Sequence, residues 1–231
     1  MNYIIWNGRD SREISGLLIS DLPPITKPKL RVKETVIDGV DGSIIEELGY
    51  ESYDKTIAIG LKAGVDIDEI IEYFTGNGEV IFSNEPNKYY KAMIIKGIDY
   101  SRLLRFRVAK VTFRVQPFKY DNAETEIFNY GTSNELTVVN IGNHTAKPLI
   151  TVKGEGVIHL FVNGDPICQY EFPENDNTVI LDSEKQDAYL GNQLKNRAMI
   201  GDFPIFKKGE NIVSWSGTVE QISIKRYSRW L

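Results

Sequence analysis

Gly201 to Gly217, GDFPIFKKGENIVSWSG, sets two short apolar segments around a Lys-Lys-Gly turn and ends in a tryptophan strand. Nothing in this stretch can act in company as acid, base and nucleophile. Pro204 and Lys208-Gly209 break it into a turn, and Asn211 to Trp215 starts a strand. Phe203, Phe206 and Trp215 are therefore expected to pack between sheets at the corner of a β-sandwich. Working outward, VIHLFVNGDPICQYEF (157–172) reads as a hairpin around Asn163-Gly164, because both turn positions tolerate positive φ. NTVILD (177–182) and NIVSWSGTVEQISIKRY (211–227) supply further strands. Short strands, tight turns and no helical stripe predict an all-β sandwich for this half.

The first half has a different texture. YIIW (3–6) leads into Asn7-Gly8, a second hairpin signal. Leu30, Val32, Glu34 and Val36 fall on one parity, with Arg31, Lys33 and Thr35 on the other. Asp38-Gly39 and Asp41-Gly42 then mark a loop tip. Ile57, Ile59 and Leu61 alternate along another strand. DIDEIIEYFTG (66–76) carries Ile67, Ile70, Ile71 and Phe74 at i, i+3, i+4 and i+7, which predicts one helix over 66–75. Asp66 is placed as its N-cap with Glu69 three residues on, and Gly76 as its left-handed terminator.

RLLRFRVAKVTFRVQPF (102–118) changes parity: Phe106 and Val108 are even, whereas Val111, Phe113 and Val115 are odd. A strand with one buried face needs an extra residue to do this, so a β-bulge is expected near Ala109-Lys110. The alternative is a strand covered on both faces, one of them by a partner chain. A cluster of Asn, Gly, Thr and Ser at 129–137 places the domain boundary, giving domains 1–132 and 133–231. The fold class is mainly β: a β-rich N-terminal domain with one helix, then a β-sandwich.

Charge and rare residues narrow the function classes. The net charge is −5, with 17 basic against 20 acidic residues up to 132 and 10 against 12 beyond, so neither half is a basic nucleic-acid module. The single cysteine, Cys168, excludes an intrachain disulfide. No charged-then-apolar leader and no apolar run of membrane length is visible, so the chain reads as soluble and made in a reducing cytoplasm. With His144 and His159 the only histidines, a Cys/His zinc site is not expected. No metal, cofactor or catalytic residue is assigned. His159 and Cys168 read as a strand histidine and a packed thiol. Glu174 and Asp176 form at most a loose calcium loop. The basic run Arg102, Arg105, Arg107, Lys110 and Arg114 has mixed parity, and reads as solvated strand faces or inter-subunit contacts.

Taken in order, several stretches carry a family likeness. MIGDFPIFKKGENIVSWSGTVEQISIKRYSRWL (199–231), VVNIGNHTAKPLITVKGEG (138–156), LFVNG (160–164), VILDSEKQDAYL (179–190) and VTFRVQPFKY (111–120) resemble distal tail proteins (the Dit family) of long non-contractile-tailed phages. IIWNGRDSREISGLLI (4–19), IDGVDGS (37–43) and LGYESYDKTIAIGL (48–61) resemble the start of the same family. The likeness is to its short form, without an inserted domain.

The resemblance implies a structural role in the virion tail. Such proteins form a hexameric ring at the tail tip around a channel for DNA. The ring joins the tail tube protein to the tail-associated tip protein and to receptor-binding or baseplate proteins, and a galectin-like sandwich projects outward. Ring closure needs two different adhesive surfaces on each subunit. The strand with Phe106, Val108, Val111 and Phe113, and the loop with Asp38, Asp41, Glu46 and Glu47, are the candidates. An acidic loop facing the channel would also let DNA slide without sticking. No specific nucleic-acid binding and no membrane insertion are expected.

Two competing readings exist. One is a carbohydrate-binding module stacking sugars on Trp215, Trp230, Tyr170 or Tyr189. The other is a two-carboxylate glycosidase using Glu174 or Asp182.

Overall fold

The computed structural model describes every residue except 63, 64, 124, 131, 132 and 175, and leaves out the side chains of 101 and 102. The chain divides into two compact units, Met1–Asn122 and Ala123–Trp230. The division therefore falls before the Asn/Gly/Thr/Ser cluster rather than at 132. Glu126–Asn129, which the sequence reading placed in the first domain, pairs along a strand of the second unit. Backbone pairing, not loop composition, sets the boundary.

The first unit contains β1 (Ile4–Trp6), β2 (Arg9–Asp10), β3 (Leu17–Asp21), β4 (Leu30–Thr35), β5 (Ile44–Tyr50), β6 (Tyr53–Leu61), β7 (Asn77–Phe82), β8 (Lys88–Ile94) and β9 (Val108–Asp121). Seven of them form an antiparallel sheet in the order β2-β1-β7-β8-β9-β6-β3, and β4 and β5 form a separate two-stranded ribbon. Asn7 (φ 51°) and Gly8 (φ 80°) make the first hairpin turn. One face of the sheet is apolar and closed. Phe113 lies edge-on to Trp6 at 5.3 Å and to Phe82 at 5.8 Å, and Ile57, Ile59 and Val111 surround this cluster.

Helix α1 (Ile67–Tyr73) lays Ile70 and Tyr73 on that core, with Phe74 just beyond its end, while Ile71 stays exposed. The Asp66 carboxylate accepts the Asp68 amide at 2.9 Å, and Gly76 (φ 91°) turns the chain out. Glu69 pairs with Arg9 instead of reaching back to the cap. A second helix, α2 (Tyr100–Phe106), occupies residues read from sequence as strand, and buries Leu103 completely.

This helix corrects the parity argument. β9 pairs with β6 in unbroken register from Tyr53↔Val115 to Gly60↔Val108, so no bulge lies at Ala109-Lys110. Ala109, Val111, Phe113 and Val115 all face the core, and Phe106 belongs to the helix. The parity change arose from counting a helical residue and an outward Val108 as part of the buried face. The real irregularity lies further along, where β8 and β9 shift register between Tyr90 and Ala92, opposite the stretch holding Pro117. A proline offers no amide to the ladder there.

The second unit holds β10 (Glu126–Asn129), β11 (Glu135–Asn140), β12 (Leu149–Val162), β13 (Asp165–Glu171), β14 (Thr178–Asp182), β15 (Asp187–Leu190), β16 (Gln193–Leu194), β17 (Met199–Gly201) and β18 (Gly209–Lys225). The two long strands β12 and β18 pair with each other and bend together. Their first arrangement, Leu149–Glu155 against Thr218–Lys225, is flanked by β14 and β10. Their second, His159–Val162 against Val213–Ser216, is flanked by β13 and β11. Both layers contribute to one core, with Val152, Ile222 and Leu181 from one and Leu160, Tyr170 and Trp215 from the other. Asn163 (φ 56°) and Gly164 (φ 85°) form the hairpin turn between β12 and β13.

The bend depends on close backbone approach. A Cβ on Gly154 would meet the Thr218 carbonyl oxygen at 2.3 Å, and one on Gly217 (φ 95°) would meet that of Val157 at 2.3 Å. Beside it, the 201–217 stretch is tied by side-chain amides. Buried Asn211 accepts the Lys207 amide at 2.9 Å and donates to the Lys207 and Gly209 carbonyls, both at 2.9 Å. Phe206 exchanges two backbone hydrogen bonds with Ala146 at 2.8 and 3.0 Å. Phe206 and Trp215 are buried in this core, and Phe203 packs against it half-buried.

Gly217→Ala is expected to cost about 1–3 kcal/mol from backbone strain alone, with the oxygen overlap adding to it. Asn211→Ala should cost about 1–3 kcal/mol by orphaning buried backbone groups. Thermal unfolding of the full chain measures both, and an unchanged melting temperature for either would refute its role.

Candidate interaction surface

The β4–β5 ribbon is the part of the first unit that buries least. Its register runs Leu30↔Tyr50, Arg31↔Gly49, then shifts at a bulge to Val32↔Glu47, Lys33↔Glu46, Glu34↔Ile45 and Thr35↔Ile44. Arg31 donates to the Leu48 carbonyl at 3.0 Å across that bulge. Paired residues share a face, so Val32 and Ile45 lie on one side and Ile44 on the other. Both faces thus expose aliphatic groups, as does the tip. Ile45 is 62% exposed, Val36 70%, and Ile37 and Val40 are also open. An isolated two-stranded ribbon is marginal in water, and bare aliphatic patches mark contact surfaces.

Charge on the ribbon is one-sided. Five of the seven charged residues from Leu30 to Tyr50 are acidic. Lys33 pairs with Glu46 at 3.6 Å, and Glu34 accepts from Ser43 at 2.6 Å. Asp38, Asp41 and Glu47 have no ion-pair partner among the described residues. All three are exposed, as is Glu46.

The root of the ribbon is pinned by a buried lysine that sequence reading passed over. Lys55 on β6 is 2% exposed, and its ammonium donates to the Pro24 carbonyl at 2.9 Å. It lies 4.9 Å from the Tyr90 ring centre, 5.7 Å from Tyr53 and 5.8 Å from Phe82. Glu85 supplies the nearby negative charge, held by the Tyr90 hydroxyl at 2.5 Å and by Lys119. Asn84 donates to the Pro23 carbonyl at 3.0 Å. These contacts fix the Pro23-Pro24 segment that feeds β4. The only sequence signal was a lysine on the same odd parity as the buried Ile57 and Ile59.

A second exposed surface sits at α2 and the start of β9. Phe106 is 59% exposed, and Leu104 and Val108 are also open. Arg105, Arg107 and Lys110 are exposed, with no carboxylate partner among the described residues. The Arg105 guanidinium lies 5.2 Å from the Phe106 ring centre. Beside them is a hollow of about 450 Å³ lined by Ser20, Ala58, Asp99, Val108, Ala109 and Lys110. Arg114, by contrast, pairs with Asp54 at 2.6 Å, and the Arg102 side chain lies outside the described residues. Val111 and Phe113, read as interface candidates, are wholly buried in the unit's own core. They cannot touch a neighbour.

In the second unit the competing sites separate. Trp215 and Tyr170 are buried and offer no face to a sugar, while Trp230 and Tyr189 are half-buried. Cys168 faces the core and His159 faces outward, because His159 pairs with Gln169 rather than with Cys168. Burial pushes the Cys168 thiol up to about 12, far from thiolate reactivity. Asp182 is held in a turn by the amides of Glu184 and Lys185 at 3.1 and 3.0 Å, Asp176 pairs with Lys195, and Glu174 is exposed.

Among solved structures, SPP1 Dit (gp 19.1), described as a paradigm of the hub adsorption apparatus in Gram-positive-infecting phages, matches with a TM-score of 0.69. The match covers 100% of both chains at 15% identity. The chain therefore has that protein's fold. A chain of the phage P2 baseplate in its activated conformation with Ca matches at 9% identity over 98% of each chain, TM-score 0.49. Its counterpart with Sr matches at 9% over 96% of this chain and 97% of that one, TM-score 0.47. These two lie too low to carry an argument. No protein-family model and no curated protein matches the chain.

Lys55 makes a pH prediction. Burial lowers its ammonium to about 8, with Glu85 opposing and Lys119 adding to the shift. Between about pH 8 and its ordinary value near 10.5, the unfolded chain holds more protons than the folded one, so this group's stability contribution rises with pH. Burial acts in the reverse sense on Tyr53, pushed up to about 12, and on Tyr90, so stability falls again above about pH 10. The melting temperature of wild type relative to Lys55→Met should therefore climb from about pH 8 to about pH 10. A flat difference would show that Lys55 is not buried as charge.

Proposed function

We propose that this chain is a structural subunit of a phage tail tip or baseplate. It closes into a hexameric ring, joins the tail tube to the host-recognition apparatus and leaves a central passage for DNA. The carrying observation is a fold shared over the whole of both chains with SPP1 Dit. A subunit of this kind works by presenting surfaces, and the first unit presents two of unlike character: an acidic aliphatic ribbon and a basic patch at Phe106 and Val108. Unlike surfaces on one subunit generate a head-to-tail contact, which closes into a ring when the rotation allows.

The role is read as architectural rather than catalytic. The one thiol is buried, His159 on the paired strand is exposed, and Asp182 serves a turn. The partners that follow from the role are further copies of the chain, a tail tube protein, a tip protein and receptor-binding or baseplate proteins. Its place is the virion tail.

Light scattering of the purified full chain, followed by negative-stain imaging, tests the reading. The expected particle has six times the chain mass of 26.2 kDa and six-fold rings with a central opening. A chain that stays monomeric, and is absent from purified tail particles by mass spectrometry, would overturn it.

A further inference from the structure

We infer that the β4–β5 ribbon docks on the α2–β9 patch of a second copy of this chain, as the head-to-tail contact of self-assembly. The inference rests on the proposed self-assembling role and assigns its residues. Charge is the first argument. Asp38, Asp41 and Glu47 are unpaired acids set among bare aliphatics on the ribbon. Arg105, Arg107 and Lys110 are unpaired bases set among Leu104, Phe106 and Val108 on the patch. The unpaired charges of the ribbon are acidic and those of the patch basic, and complementary charge around apolar contacts both steers and orients association.

Geometry is the second argument. The ribbon leaves the sheet at Tyr53, which pairs with Val115, and the patch begins at Val108, which pairs with Gly60. Seven residues of strand separate them, about 23 Å at roughly 3.3 Å per residue. The two surfaces therefore lie at opposite ends of one rigid strand pair, the arrangement a heterologous contact needs and a two-fold one does not. The hollow beside Val108 and Lys110, about 450 Å³, has room for aliphatic side chains such as Val36 and Ile37 from the tip. In this assignment Asp38 and Asp41 face a neighbour rather than a DNA channel.

Charge exchange in the full-length chain tests the contact. One variant carries Asp38→Lys, Asp41→Lys and Glu47→Lys, and the other Arg105→Glu, Arg107→Glu and Lys110→Glu. Each alone is expected to weaken self-association by roughly a hundredfold, from like charges set face to face. Circular dichroism should show both folded, since all six positions are exposed. Mixing the two variants, or combining all six changes in one chain, should restore assembly. Added salt should weaken wild-type association.

Unaltered assembly in either variant, or failure of the mixture and the combined chain to recover, would overturn the assigned contact while leaving the ring itself intact. The first of these results would return the acids to the channel. A wild type that stays monomeric at its highest soluble concentration would overturn self-docking, and the building-block role would then be judged on tail particles alone.

Discussion

The antiparallel pairing of β6 with β9 is the constraint on which the first unit is built. It sets Ile57 and Ile59 opposite Val111 and Ala109 in one buried layer, to which Phe113, Trp6 and Phe82 lock edge-on. The same ladder fixes where the two exposed surfaces emerge. Its Tyr53 end carries the ribbon and its Gly60 end the patch, so a one-residue slip would bury Lys110 and expose Val111. Core register and surface placement are thus one decision. Lys55 adds a polar tether on this strand, holding Pro24 within a ring of aromatics.

The second unit solves a different problem, closing a sandwich from strands long enough to belong to both layers. β12 and β18 bend past each other only because Gly154 and Gly217 leave room for carbonyl oxygens that any side chain would strike. The turn amides of Asn211 and the Phe206–Ala146 backbone pair then hold the corner closed. In this corner the Asn211 side-chain amide and the backbone groups of Phe206 and Ala146 are all engaged in holding the turn. Elsewhere in the unit Asp182 caps a turn, Asp176 pairs with Lys195 and Cys168 is buried in the core.

Reading ahead of the structure worked where a few adjacent residues decide the outcome. Asp66 capped α1, Gly76 ended it, and the two Asn-Gly pairs turned hairpins, since each depends on local backbone preference. It failed where the deciding contact was distant. Seven residues are too few to form α2 on propensity alone, and its existence rests on Leu103 reaching the core. Missing α2 produced a bulge that the ladder does not contain. The same error placed Val111 and Phe113 at an interface, although they are the centre of the unit.

The sequence by itself determined a mainly β chain with one capped helix, turns at fixed glycines and asparagines, and no visible assembly of reactive groups. Those properties follow from period, cap and turn chemistry within a few residues. Only the tertiary structure decided which aliphatics stay in water. Val32, Val36, Ile44 and Ile45 read like any half-buried strand, and nothing local distinguishes them from Ile57 and Ile59. The difference is that β6 gained a sheet neighbour on each side while β4 and β5 gained only each other. Burial is a property of what else arrives at a surface, and beyond the contact of Tyr50 with Phe118 at its root the ribbon's aliphatics stay exposed.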